Sequence, residues 1–215
     1  MRLNTVILAD DSFANNVSDL FVSLKSATTS LLEKHCLQNS CIELTNQIFL
    51  SDSIDKNTLS EKLSSVNSLP FICYWYGHGT EVSFSIDNDE VVSLTENHYA
   101  FSNALIYTFS CHNAKVLADT LIDNKLETFV GYASEAKCPY GLDDLTTEIV
   151  MTFTSSFLQG KTANEAVEDL KSAYERSIFN EELDPFQRGW FQENRDALVI
   201  KGNKELTIND IVINQ

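Results

Sequence analysis

Apolar positions along the chain change their period repeatedly. Thr5–Ala9 is a nearly continuous apolar run, the pattern of a strand buried on both faces. Phe13, Val17, Leu20, Phe21, Leu24, Ala27, Leu31 and Leu32 then recur at helical spacing. A second strand is predicted near Cys41–Thr45 and a short helix around Thr58–Val66. Pro70 stops that helix, and Phe71–Tyr76 is a third strand. Val82, Phe84 and Ile86 alternate, Asp87-Asn88-Asp89 can turn, and Val91-Val92 restart a strand, so Glu81–Leu94 reads as an inserted hairpin.

The second half continues the alternation. Ala104–Phe109 and Thr128–Tyr132 are predicted strands, with a helix over Ala114–Ile122 between them. Asp144–Leu158 is a predicted helix with Asp144 as its N-cap and Gly160 just past its end. Thr162-Ala163-Asn164-Glu165 is a capping box that opens another, whose apolar face is Ala166, Val167, Leu170, Ala173 and Tyr174. Glu181–Asp196 is polar with Phe186, Trp190 and Phe191 interleaved, and is expected to pack over a sheet edge. Leu198–Ile200 and Leu206–Ile208 suggest a terminal hairpin around Lys201-Gly202-Asn203-Lys204. Alternating strands and helices predict an α/β fold: one domain over residues 1–215, a three-layer αβα sandwich with a mostly parallel central sheet and a small inserted hairpin.

Composition narrows the function. With 43% apolar residues the chain can bury a substantial core. Its 31 acidic against 15 basic residues give a net charge of −16, which repels phosphate backbones and argues against nucleic-acid binding. No apolar run reaches membrane-spanning length, and the N-terminus lacks the features of a signal peptide, so a cytoplasmic protein is expected. The five cysteines form no C-x-x-C pair and no zinc-like cluster, and neither metal nor cofactor is expected. Cys73 lies inside an apolar run and reads as inert core.

Two segments share one design. Phe71–Tyr76 ends in Gly77-His78-Gly79, and Ala104–Phe109 ends in Ser110-Cys111. Each reactive side chain is thus at the carboxyl end of a buried strand, the edge where open α/β sheets bind ligands. If the two strands are parallel neighbours, about 4.8 Å apart, His78 and Cys111 face one another across a cleft. A thiolate is the reactive form of cysteine, and an adjacent imidazolium stabilises it. The N–H groups of Gly79 and Cys111 are candidates for an oxyanion hole. The helix after Cys111 is expected to aim its positive end at the sulfur and lower the thiol's pKa further. His112 is a weaker rival for the acid–base role, because its side chain should leave the turn in another direction.

These motifs resemble the caspase-like superfamily of cysteine peptidases, which includes metacaspases, clostripains and the bacterial CHAT-domain proteases. The resemblance extends to Phe129–Ser134 and to Phe157–Ala166, and is nearest to the CHAT and clostripain-like side. Phe109-Ser110-Cys111-His112-Asn113 departs from the Gln-Ala-Cys-Arg-Gly of caspases, so caspase specificity for Asp is not implied. What the resemblance implies is a thiol endopeptidase with a Cys–His dyad, needing no metal for its chemistry, though some relatives are calcium-activated. It places the S1 pocket at the end of the first strand, where Asp10 and Asp11 stand. Either carboxylate would suit a substrate Lys or Arg, and either would equally serve as a helix cap. Ser134 and Glu135 are further candidates to line that cleft, or are ordinary loop residues.

The resemblance also implies a protein substrate cut after a basic residue, and a bacterial defence effector, antiviral or stress-related, switched on in trans by a sensor protein. A reading from another class is a catalytically silent interaction module on the same fold. A ligand-sensing α/β domain ranks last, because no G-x-G-x-x-G or P-loop signature is present.

Overall fold

Strands that read as unbroken apolar runs lie at the centre of the sheet, and those with polar interruptions lie at its edge. The structure, a computed structural model, describes residues 1–12, 17–40, 42–50, 54–64, 68–86 and 89–213. The main-sheet strands are β1 (Arg2–Ala9), β2 (Glu43–Leu50), β3 (Phe71–Tyr76), β7 (Ala104–Phe109), β8 (Thr128–Tyr132) and β9 (Leu198–Gly202). Their spatial order is β2-β1-β3-β7-β8-β9, with the first five parallel and β9 antiparallel to β8. β4 (His78–Gly79), β5 (Ser83–Ile86) and β6 (Asp89–Ser93) form a separate small antiparallel sheet. The helices are α1 (Ser18–Gln38), α2 (Lys56–Ser64), α3 (Val116–Asp123), α4 (Asp143–Leu158), α5 (Ala163–Ile178), α6 (Pro185–Ala197) and α7 (Ile208–Ile211).

Side-chain parity divides the core in two. Ile7, Tyr74, Tyr107 and Val130 project to one face, where they pack with Leu24 of α1, Phe153 of α4, Leu170 of α5 and Phe191 of α6. Leu8, Trp75, Ile106 and Phe129 project to the other, against Leu63 of α2, Leu121 of α3 and Phe84 of the small sheet. Successive strand residues alternate faces, so a sheet covered on both sides demands apolar residues at every central position. The result is the three-layer arrangement with a mostly parallel sheet that the alternation predicts.

The first face carries an unusual polar cargo. Tyr74, Tyr76, Tyr107, Tyr132 and Tyr174 are all fully buried. Tyr107 Oη donates to the Val150 carbonyl at 2.7 Å, the Tyr132 and Tyr174 hydroxyls bond each other at 2.7 Å, and Tyr76 Oη bonds Thr28 Oγ1 at 2.6 Å. A buried hydroxyl without a partner is costly, and these bonds remove that cost for Tyr76, Tyr107, Tyr132 and Tyr174.

Several boundaries differ from the sequence reading. β1 starts earlier than Thr5, at Arg2, because β2 and the Ile213 bridge both pair with that end. β2 runs Glu43–Leu50, later than the predicted Cys41–Thr45: eight residues pair in register with β1, and pairing overrides their polar interruptions. Cys41, residues 13–16 of the predicted first helix and Asp87-Asn88 of the predicted turn lie outside the described residues. Asp144 is not an N-cap: the α4 cap is Leu142, whose carbonyl accepts from Thr146 N–H at 2.8 Å, and Asp143 and Asp144 sit in the first turn. The Thr162–Glu165 capping box forms as read. A second box, Asp184 with Gln187, turns the polar Glu181–Asp196 segment into α6, with Pro185 in its first turn. The terminal hairpin is absent. β9 pairs with β8 instead, and the box of Thr207 and Asp210 starts α7 where the return strand was expected. No described helix is long and apolar enough to cross a membrane.

Candidate active site

Register brings the two strand-end motifs together. β3 and β7 are adjacent and parallel, with Tyr76 opposite Phe109, so His78 and Cys111 each stand two residues past the same level of the sheet. Both line one cleft of about 430 Å³. Gly77, Ser110 and His112 complete its floor, and Val17, Phe21, Phe109, Ala136 and Cys138 supply apolar wall. Glu135 and Lys137 stand among that wall.

The inserted segment begins at the histidine itself, which the hairpin reading missed. His78 pairs with Ser85 and Gly79 with Phe84 in the small sheet. Trp75 Nε1–H donates to the His78 carbonyl at 3.3 Å. Thr80 N–H donates to the Ser83 carbonyl, so the alternation of an antiparallel ladder makes Gly79–Phe84 the non-bonded pair. Gly79 N–H is therefore turned away from β5. The imidazole packs edge-on to Phe21, 6.1 Å between centroids at 88°. Its Nε2 lies 4.0 Å from Asp10 Oδ2, an electrostatic contact longer than a hydrogen bond.

Asp10 is the chief residue whose place the sequence left open. It follows β1, which is the other neighbour of β3, and its N–H bonds the Tyr76 carbonyl at 2.8 Å. It is fully buried, and its Oδ1 accepts from Ser12 N–H at 3.1 Å. The structure thus puts this carboxylate beneath the histidine and outside the cleft wall. Asp11 is half-buried and also outside the wall. Ser134 is exposed, and its carbonyl accepts from His112 N–H at 2.9 Å, holding the turn after Cys111.

That turn is packed to the limit. A Cβ on Gly79 would meet Ser110 Oγ at 2.3 Å and the Cys111 carbonyl oxygen at 2.8 Å. A Cβ on Gly131 would meet the Asn113 side-chain oxygen at 2.8 Å. Asn113 is fully buried under the turn, and its side-chain nitrogen lies 3.1 Å from the Gly79 Cβ position. Two glycines on the flanking strand ends are what let the 110–113 turn sit down on the sheet. His112 takes a left-handed backbone with φ of 59°, which sends the chain sharply into Asn113.

The thiol does not meet the electrostatic expectation. Burial pushes the Cys111 thiol above its ordinary range; a backbone hydrogen bond from Ala136 and the charge of Lys137 oppose this, while Glu135 reinforces it. The helix dipole contributes little, because α3 starts only at Val116 and its Leu117 N–H is already bonded to the Glu81 carbonyl at 2.8 Å. The neighbouring Cys138 thiol is pushed up to about 12 by burial first and then by the charge of Cys111. Among the described residues no cluster of His, Cys, Asp and Glu is arranged to hold a metal ion. His98, read from the sequence as a surface residue, is half-buried in a 3-10 turn over His98–Phe101, and takes no part in the cleft. No protein-family model and no curated protein matches the chain.

Proposed function

We propose that this chain is a cysteine endopeptidase of the caspase-like kind, with Cys111 as nucleophile and His78 as acid–base partner. One observation carries the reading: a thiol and an imidazole stand at the same level on adjacent parallel strand tips, in one cleft, with a buried carboxylate under the imidazole. The αβα frame is the one that the resemblance of the two motifs implies.

The chemistry follows from those positions. Asp10 attracts the Nε2 edge of His78 and leaves Nδ1 for the thiol. As Cys111 Sγ attacks the scissile carbonyl carbon, His78 takes the S–H proton. The carbonyl oxygen gains the electron pair of the broken π bond and accepts from the N–H groups of Gly79 and Cys111. The imidazolium then protonates the departing amine, leaving a thioester on Cys111. A water molecule, giving its proton to His78, attacks the thioester and releases the carboxylate and the thiol.

The substrate on this reading is a protein, and activation comes in trans from a partner in a bacterial defence or stress response. The raised Cys111 thiol supports a resting site, because little thiolate is present until the proton is taken. Mass spectrometry of a peptide library incubated with the protein tests the reading. Strong cleavage by the chain without a partner would count against activation in trans; whatever cleavage occurs is expected to be abolished in Cys111→Ala and reduced at least about 100-fold in His78→Ala. Equal cleavage by Cys111→Ala would remove the nucleophile and leave the silent-module reading in its place.

A further inference from the structure

The chemistry of the cleft wall bears on which side chain sits beside the scissile bond. A basic preference would need an accessible carboxylate. Asp10 is 0% exposed, lies 4.0 Å from His78 Nε2 and does not line the cleft, so it offers no accessible carboxylate. Asp11 does not line the cleft. Glu135 does, but it is ion-paired with Lys137, which lies 3.9 Å from Glu193 as well. Glu135 and Lys137 are the charged residues of the wall apart from the catalytic pair and offset each other; Glu193, the third member of the cluster, does not line the cleft. The rest of the wall is Val17, Phe21, Phe109, Ala136 and Cys138. A Lys or Arg head group placed there would lose water without gaining a free counter-charge, which is costly. A branched aliphatic or aromatic side chain would bury its surface against the same wall with a gain.

We infer that the cleft selects an apolar residue of Leu or Phe size on the acyl side of the bond that Cys111 attacks, with Val17 and Phe21 of the α1 end as the residues that set the preference. The inference rests on the endopeptidase reading and supplies its substrate class. Val17 directly precedes α1, and its carbonyl accepts from Phe21 N–H at 3.2 Å, so the two side chains are one helical turn apart. Phe21 also packs on His78, which ties the specificity wall to the acid–base residue.

The test uses the full chain and a series of acyl-dipeptidyl chloromethyl ketones that differ only in the terminal residue: Leu, Phe, Lys, Arg or Asp. Intact mass and peptide mapping follow the rate of adduct formation at Cys111. Leu or Phe reagents are expected to alkylate Cys111 about tenfold or more faster than the Arg and Lys reagents. Val17→Asp, a half-buried position where a carboxylate can be solvated, is expected to slow the Leu reagent about tenfold and speed the Arg reagent. Faster reaction with Arg or Lys in the wild type overturns the apolar preference and leaves the endopeptidase reading standing. Equal, slow rates for all five reagents, no faster than chloroacetamide, overturn both, because the cleft would then bind no peptide. Unchanged selectivity in Val17→Asp, with the wild-type fold retained by circular dichroism, removes α1 from the specificity wall.

Discussion

Cys111 and Gly79 show how tightly single residues are constrained here. A methyl group at position 79 would overlap Ser110 Oγ and the Cys111 carbonyl, and the turn would have to lift. Gly79→Ala is expected to lower cleavage per folded molecule about 100-fold, since a displacement near 1 Å is enough to spoil an attack geometry, and to lower stability too, because backbone at Cys111 must move. Paired activity assays and thermal melts check this. Asp10→Asn keeps the shape and removes the charge under the imidazole, and is expected to slow cleavage by about one to two orders of magnitude. A free, half-buried thiol predicts its own titration. Because burial holds the Cys111 thiol above its ordinary range, alkylation by iodoacetamide should be slower than for an unstructured cysteine at neutral pH. It should still be climbing at a pH where the unstructured thiol has levelled off. A rate flat between pH 6 and 8 would instead show a resting thiolate–imidazolium pair.

Elements hold the site by their ends. β3 delivers His78, β7 delivers Cys111 and β1 delivers Asp10, so three parallel strands converge on one edge. Opposite them, α1 supplies the wall through Val17 and Phe21, and the segment after β8 supplies Ala136 and Cys138. α5 and α6 depend on their first turns, neither of which lines the cleft. Thr162 Oγ1 accepts from Glu165 N–H at 3.2 Å, and an Asp184 carboxylate oxygen accepts from Phe186 and Gln187 N–H at 2.8 and 2.9 Å. Thr162→Ala and Asp184→Ala are each expected to cost about 1 kcal/mol in urea unfolding, with cleavage per folded molecule unchanged.

Across the whole molecule, the buried tyrosines and thiols couple stability to alkaline pH. Burial holds Tyr74, Tyr76, Tyr107, Tyr132 and Tyr174 above their ordinary value of 10.0, and holds Cys73 and Cys138 above 9.0. With folded values raised, the folded state keeps protons that the unfolded chain has already released. Stability is therefore fully present below about pH 8, begins to fall as pH approaches the unfolded cysteine value of 9.0, and is lost more steeply beyond 10. Each fully buried group contributes up to about 1.4 kcal/mol per pH unit in that range. Melting temperature should fall steeply from pH 9 upward. In a Tyr99→Phe, Tyr140→Phe variant, which removes the two exposed tyrosines, tyrosinate absorbance should appear only as the fold is lost. Gradual tyrosine ionisation in that variant while it is still folded would show that the five buried hydroxyls reach solvent.

The sequence by itself determined most of the central strands and helices and put His78 and Cys111 at strand tips. Strands covered on both faces must be apolar at every position, and helices must repeat near every 3.6 residues, so both leave marks in the order of residues. His78 and Cys111 were legible because each closes such a run. Tertiary structure decided what depends on neighbours distant in sequence. β1 lies next to β3, and that adjacency, which no local pattern encodes, carries Asp10 under the imidazole. β9 takes β8 as its partner in place of the next segment, because a capping box there costs the chain a strand and gains it a helix. Burial, a property of the packed molecule, likewise pushes the Cys111 thiol up, against the local charges that the motif suggests.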